Sequence, residues 1–213
     1  TWIAVRDIDA VRRQLNAKRI NLLGGSYGTR AALEYLRQFP QHVRSVVLDG
    51  VAPPAMALPA AFAVDADASL TALVRACATD ARCAARYPDA AAQTDALLAR
   101  AAAGFDVMLT DPLGGARQRV HVDRRVMATL LRTPLYLPSL AAVLPYALLQ
   151  AADGDFRALA ALTLAVADRT GGSLATCMHF AVICAEDLPR IDATLRAAAA
   201  ATRFGTVFID QYT

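Results

Sequence analysis

Residues 20–30 read Ile20-Asn21-Leu22-Leu23-Gly24-Gly25-Ser26-Tyr27-Gly28-Thr29-Arg30, INLLGGSYGTR, an apolar run that ends in two glycines and a serine. Ile20 to Leu23 has the character of a short buried parallel strand. The next regular segment, Thr29 to Phe39, places Ala31, Ala32, Tyr35, Leu36 and Phe39 on one helical face, and Pro40 ends it. Val43 to Asp49, VRSVVLD, reads as a second strand. Upstream, Val5, Ile8, Val11 and Leu15 recur at intervals of three and four with Arg6, Arg12 and Arg13 between them, which predicts a helix that buries its apolar face. Asn16 then offers a left-handed terminus. The order helix, strand, helix, strand makes a crossover unit, so the fold class is α/β, a parallel sheet with helices on its faces.

The turn itself, Gly24-Gly25-Ser26-Tyr27-Gly28, satisfies G-x-S-x-G directly after a strand and directly before a helix, the context in which that pattern has mechanical meaning. A sharp strand-to-helix corner forces the serine into a strained conformation and lifts its hydroxyl clear of the sheet. Residues two before and two after must be small to keep strand and helix from colliding, and Gly24 and Gly28 meet that need. Ser26 would then stand at a helix N-terminus, where the Tyr27 N–H and the helix dipole stabilise an oxyanion. Other glycine-loop readings fail on register. A dinucleotide fingerprint needs glycine where Ser26 stands, and a P-loop needs a lysine that is not there.

At Val51 the texture changes to a proline-rich exit, VAPPAMALPAA, followed by alanine- and leucine-rich helical patterns. This places a boundary between residues 1–51, a partial α/β core, and residues 52–213, a mostly helical domain. Helices are expected near Ala61 to Arg86, Ala90 to Ala103, Arg124 to Leu131, Leu140 to Ala151, Phe156 to Asp168 and Leu174 to Glu186. Phe105 to Thr110 and Arg117 to Val122 flank DPLGGA and read as a hairpin.

Composition excludes several classes of function. The chain has 22 basic and 19 acidic residues interspersed in sequence, so no single-sign field is available for nucleic acid or an anionic membrane. Residues 133–152 carry no formal charge, a run long enough to cross a bilayer, but Pro134, Pro138 and Pro145 interrupt it and Gln150 lies within it. A buried helical pair is the better reading. The four cysteines match no zinc or CxxC spacing, so neither a metal nor a cofactor is expected. On a helix Cys177 and Cys184 would stand about 10 Å apart, too far to bridge, and are expected as small buried hydrophobes. Cys77 and Cys83 can close only if the helix breaks near Thr79-Asp80, and such a bridge would favour a periplasmic or secreted protein.

GGSYGTR followed by ALEYLRQFPQHVRSVVLDGVAPP resembles the α/β-hydrolase family of prolyl and tripeptidyl aminopeptidases, and MHFAVICAEDLPR, Met178 to Arg190, resembles a segment of that family's helical cap. The resemblance implies a serine nucleophile at Ser26, an oxyanion donor in the Tyr27 N–H, a cap over the active site, and release of residues or short peptides from free N-termini. Small amides or esters are the wider substrate class. In this fold the acid and histidine follow the nucleophile on loops after later strands, so the chain is expected to be an internal fragment with little activity of its own. His42, His121 and His179 are expected in structural roles, as is Asp49 in the strand-end sequence LDG. Glu186 and Asp187 are weighed as a carboxylate pair for the substrate's α-amino group against an ordinary solvated helix end. Two other readings remain open: an esterase or lipase with the same elbow, and a non-catalytic binding module that keeps it.

Overall fold

A computed structural model describes residues 1–110, 115–170 and 175–213. The chain divides into two units, Thr1–Leu58 and Pro59–Thr213. In the first, helix α1 (Ala4–Gln14) is followed by strand β1 (Ile20–Gly25), helix α2 (Tyr27–Gln38) and strand β2 (Val43–Asp49). The strands pair in parallel, from Ile20 opposite Val43 to Gly25 opposite Asp49, with α2 as the crossover. Proline cannot continue a helix and bars α geometry from the residue before it, so Phe39 leaves helical space at φ −133° and Pro40–His42 forms a 3-10 turn. On one sheet face Leu22, Val46 and Leu48 are half-buried, while Leu23 and Val47, directly paired on the other, are 81% and 58% exposed.

Helix α1 has the predicted position and ends on Asn16 in the left-handed region at φ 52°, as expected, but its buried face differs. Val5 is fully buried with Asp9 and Arg12, whereas Ile8, Val11 and Leu15 are exposed. The reason is a satisfied polar cluster. Asp9 Oδ1 accepts from Arg12 Nε at 2.7 Å, from the Tyr35 hydroxyl at 2.9 Å and from His42 Nδ1 at 2.9 Å. A buried carboxylate with three donors on one oxygen is tolerated where an unpaired one would not be. The hydrogen bond from Arg12, aided by those from Tyr35 and His42 and opposed by burial, draws the Asp9 carboxyl down to about 2.

The second unit is mainly helical. It comprises α3 (Leu58–Thr79), α4 (Ala81–Arg86), α5 (Ala90–Ala103), the antiparallel strands β3 (Phe105–Thr110) and β4 (Arg117–Val122), and helices α6 (Arg124–Arg132), α7 (Pro138–Ala141), α8 (Leu144–Ala152) and α9 (Arg157–Thr170). Helices α10 (Thr176–Val182), α11 (Ala193–Ala200) and α12 (Val207–Asp210) complete it. The two hairpin strands have the predicted bounds, while the turn residues 111–114, like Leu174 at the start of the last predicted helix, lie outside the described residues. Leu70, Met127, Leu131, Leu144, Leu148, Leu159 and Phe156 form its core with buried alanines at Ala63, Ala101, Ala147 and Ala151, small side chains that let helices approach closely.

The predicted helix over residues 61–86 breaks at Asp80, whose side chain caps α4 by accepting from the Arg82 and Cys83 N–H groups at 3.0 and 2.8 Å. The break brings the Cys77 and Cys83 Cα atoms to 5.0 Å, and the two are disulfide-bonded. Cys177 and Cys184 are free, as expected, but exposed instead of buried. The uncharged run 133–152 is divided among a 3-10 turn, α7 and α8, each starting beside one of its prolines, and no helix among the described residues is long and apolar enough to cross a membrane.

Candidate functional site

Ser26 occupies the corner between β1 and α2 at φ 52°, ψ −120°. Among the described residues only Asn16 and Ser26 have positive φ without being glycine, and Asn tolerates that region where Ser does not. Such a conformation costs on the order of 1–3 kcal/mol and persists only where the surroundings impose it. Serine at a helix N-cap normally spends its hydroxyl on a backbone N–H of the first turn. Ser26 does not: it makes no side-chain cap hydrogen bond and it is exposed. Tyr27 is the first residue of α2, so its N–H has no acceptor within the helix and the positive end of the helix dipole lies beside the serine.

Backbone contacts hold this corner. The Ser26 N–H donates to the Asp49 carbonyl at 2.9 Å, and its own carbonyl accepts from the Thr29 N–H at 3.0 Å and the Thr29 hydroxyl at 2.6 Å. Strand and helix meet at Gly24, where a Cβ would stand 2.5 Å from the Gly28 carbonyl oxygen. At Gly28 a Cβ would meet nothing within 4 Å, so the steric demand that the motif spreads over both glycines falls on Gly24 alone. Gly50, following β2 at φ 62°, supplies a left-handed turn at the same end of the sheet.

Each histidine has a partner of its own. His42 lies at the start of β2 and Ser26 beyond the end of β1, so with parallel strands the two are separated by roughly 18 Å, the length of the sheet. An ionised Asp9 can only accept, which fixes the His42 proton on Nδ1, and the ring stacks on Phe39. In the second unit His121 Nδ1 lies 2.8 Å from Asp106 Oδ1 and its ring rests over Gly104. His179 Nε2 lies 2.9 Å from the Tyr212 hydroxyl. Asp49 is exposed and contributes its carbonyl, not its carboxylate, to the serine corner.

Glu186 and Asp187 fall in a single π turn, Ile183–Asp187, between α10 and a 3-10 turn, Leu188–Arg190. Pro189 explains the irregularity, because it lacks the N–H an α-helix would direct to Ala185. Asp187 is fully buried and Glu186 half-buried, so the solvated-end alternative does not describe Asp187. Nearby, Tyr212 is pushed above its ordinary value by burial, with Cys184 and Asp187 adding to the effect against the opposing charge of Arg132. Arg132 lies over the rings of Phe62, Tyr136 and Phe208, and burial pulls its pKa down. Among the described residues no group of three His, Cys, Asp or Glu side chains is placed to hold a metal ion.

Sequence reading missed Thr29 and Arg30, both buried on α2. The Thr29 hydroxyl accepts from the Ala52 N–H at 2.8 Å, and Arg30 Nη2 donates to the Met56 carbonyl at 2.6 Å.

Residues 1–76 match the family model of the α/β hydrolase fold. The chain is 45% identical over 49 residues to "Serine protease Hip1" of Mycobacterium tuberculosis and 47% identical over 49 residues to "Tripeptidyl aminopeptidase" of Streptomyces lividans, each match taking 23% of this chain and 9% of the relative. "Putative hydrolase YuaR" of Escherichia coli is 44% identical over 48 residues, 22% of this chain and 10% of the relative. The matched stretch thus covers about a tenth of the length of each of these curated relatives. No solved structure matches.

Proposed function

We propose that this chain carries the nucleophile of a serine peptidase, an aminopeptidase that releases N-terminal residues or short peptides through an acyl-enzyme at Ser26. The observation that carries the reading is a helix-capping serine held at φ 52° with its hydroxyl unspent and exposed. The match of residues 1–76 to the α/β hydrolase fold and the names of the relatives support it.

Ser26 Oγ attacks the substrate carbonyl carbon and gives up its proton to a base; the C–N bond breaks, the amine leaves with that proton, and water then cleaves the ester to free Ser26. The Tyr27 N–H stabilises the oxyanion. In this reading His42, at the far end of the sheet from Ser26, is not the base. On the same reading the helical unit is the cap domain, and of its acidic pair the half-buried Glu186, not the fully buried Asp187, is the carboxylate accessible to a substrate's α-amino group. The chemistry requires no metal or cofactor. The Cys77–Cys83 bridge favours a periplasmic or secreted setting.

Peptide anilides with free and acetylated N-termini test the assignment on the longer protein that contains this chain. Turnover of the free form alone supports an aminopeptidase. Equal turnover of both, or of simple esters only, assigns the site to an esterase or lipase, and no turnover with an unlabelled Ser26 leaves a binding module.

A further inference from the structure

Thr29 takes no part in the chemistry above, yet its one hydroxyl joins the two segments that meet at Ser26. We propose that Thr29 is a positioning residue, a brace that ties the nucleophile corner to the segment leaving β2. Its catalytic consequence rests on the reading of Ser26 as the nucleophile; the brace itself does not.

The hydroxyl is used in both directions. It donates to the Ser26 carbonyl at 2.6 Å and accepts from the Ala52 N–H at 2.8 Å, and the residue is fully buried. Arg30, 2% exposed, adds a second tie four residues further along that segment, from Nη2 to the Met56 carbonyl at 2.6 Å. The Ser26 N–H is held by Asp49 at the end of β2. The serine's amide and carbonyl are therefore both anchored through β2 and its exit, residues 49–56, and a left-handed serine needs such restraint. Valine has nearly the shape of threonine but its side chain can neither donate nor accept, so Thr29→Val removes one of the two hydrogen bonds at the Ser26 carbonyl, leaving that from the residue 29 N–H, and leaves the Ala52 N–H, in a buried residue, without its acceptor. Serine keeps the hydroxyl.

The experiment compares wild type, Thr29→Val and Thr29→Ser in the full-length protein, with two readouts on each: amide exchange at Ala52, and kcat and KM on a peptide anilide. Wild-type Ala52 should be protected. In Thr29→Val its exchange should rise about tenfold, the worth of one buried hydrogen bond. The kcat should fall about ten- to a hundredfold with KM unchanged, as expected when a reacting group is displaced by a fraction of an ångström. Thr29→Ser should restore both. An unprotected Ala52 in wild type, which needs no variant, overturns the brace. Faster exchange with undiminished kcat overturns its positioning role. If wild type shows no turnover, the nucleophile reading fails instead, and Ala52 exchange in the same samples still decides the brace.

Discussion

Replacing Gly24 with alanine would put a Cβ 2.5 Å from the Gly28 carbonyl oxygen, 2.7 Å from its carbonyl carbon and 2.9 Å from the Thr29 nitrogen. All three are backbone atoms in the first turn of α2, so no side chain can rotate away. Non-bonded contacts of this kind settle near 3.5 Å, so the helix start must retreat from β1 by about 1 Å. Overpacking of that order costs about 1–3 kcal/mol. The same methyl at Gly28 meets nothing within 4 Å and replaces a poor helix former at the second position of α2, for a change between zero and a gain of about 1 kcal/mol. The two substitutions are chemically identical and four residues apart, so each controls for the other. Trp2, the sole tryptophan, lies in the first unit and reports its urea unfolding by fluorescence. Gly24→Ala should lose about 1–3 kcal/mol and Gly28→Ala none. Equal stabilities for the two would refute the one-sided contact.

The Asp9 cluster predicts an acid-sensitive first unit. The folded carboxyl is held at about 2 against 3.8 ordinarily, so its stabilisation, about 2 kcal/mol, is complete above about pH 5 and is lost as pH falls through 3.8 toward 2. Asp9→Asn should flatten the Trp2-monitored stability over that window, and an unchanged slope would exclude Asp9 as the source. The Cys77–Cys83 bridge closes a short loop with a sequence separation of six, worth about 2 kcal/mol by loop entropy. Dithiothreitol and the double serine variant should lower the melting temperature equally. The untreated chain should titrate two thiols, Cys177 and Cys184, and the reduced, unfolded chain four; four at the outset would mean the bridge does not form.

What sequence reading captured is what neighbours in the chain decide. The strands at Ile20 and Val43, the hairpin at Phe105 and Arg117, and the left-handed Asn16 depend on short-range patterns and appear as expected. The serine corner was legible for the same reason, since strand, small residues and helix are contiguous. The buried face of α1 was not, because its burial of Asp9 and Arg12 depends on Tyr35 and His42, 26 and 33 residues beyond Asp9. Thr29 and Arg30 likewise find their partners at Ala52 and Met56, 23 and 26 residues away, and nothing local marks those pairs. The burial of Asp187 also arises from packing, since the neighbouring Cys184, Ala185 and Pro189 are exposed. The Cys77–Cys83 pairing was readable only as a condition, a helix break at Asp80, which that residue's capping side chain fulfils.

Fluorophosphonate labelling, with the modified peptide located by mass spectrometry, tests the assignment of Ser26 most directly. Reacted with a longer protein containing this chain, the reagent should modify Ser26 and leave the Ser26→Ala variant untouched, while the 213-residue chain, in which His42 lies at the far end of the sheet from Ser26, should label orders of magnitude more slowly. An unmodified Ser26 in an active longer protein, or equal labelling of the Ser26→Ala variant, would contradict the nucleophile assignment.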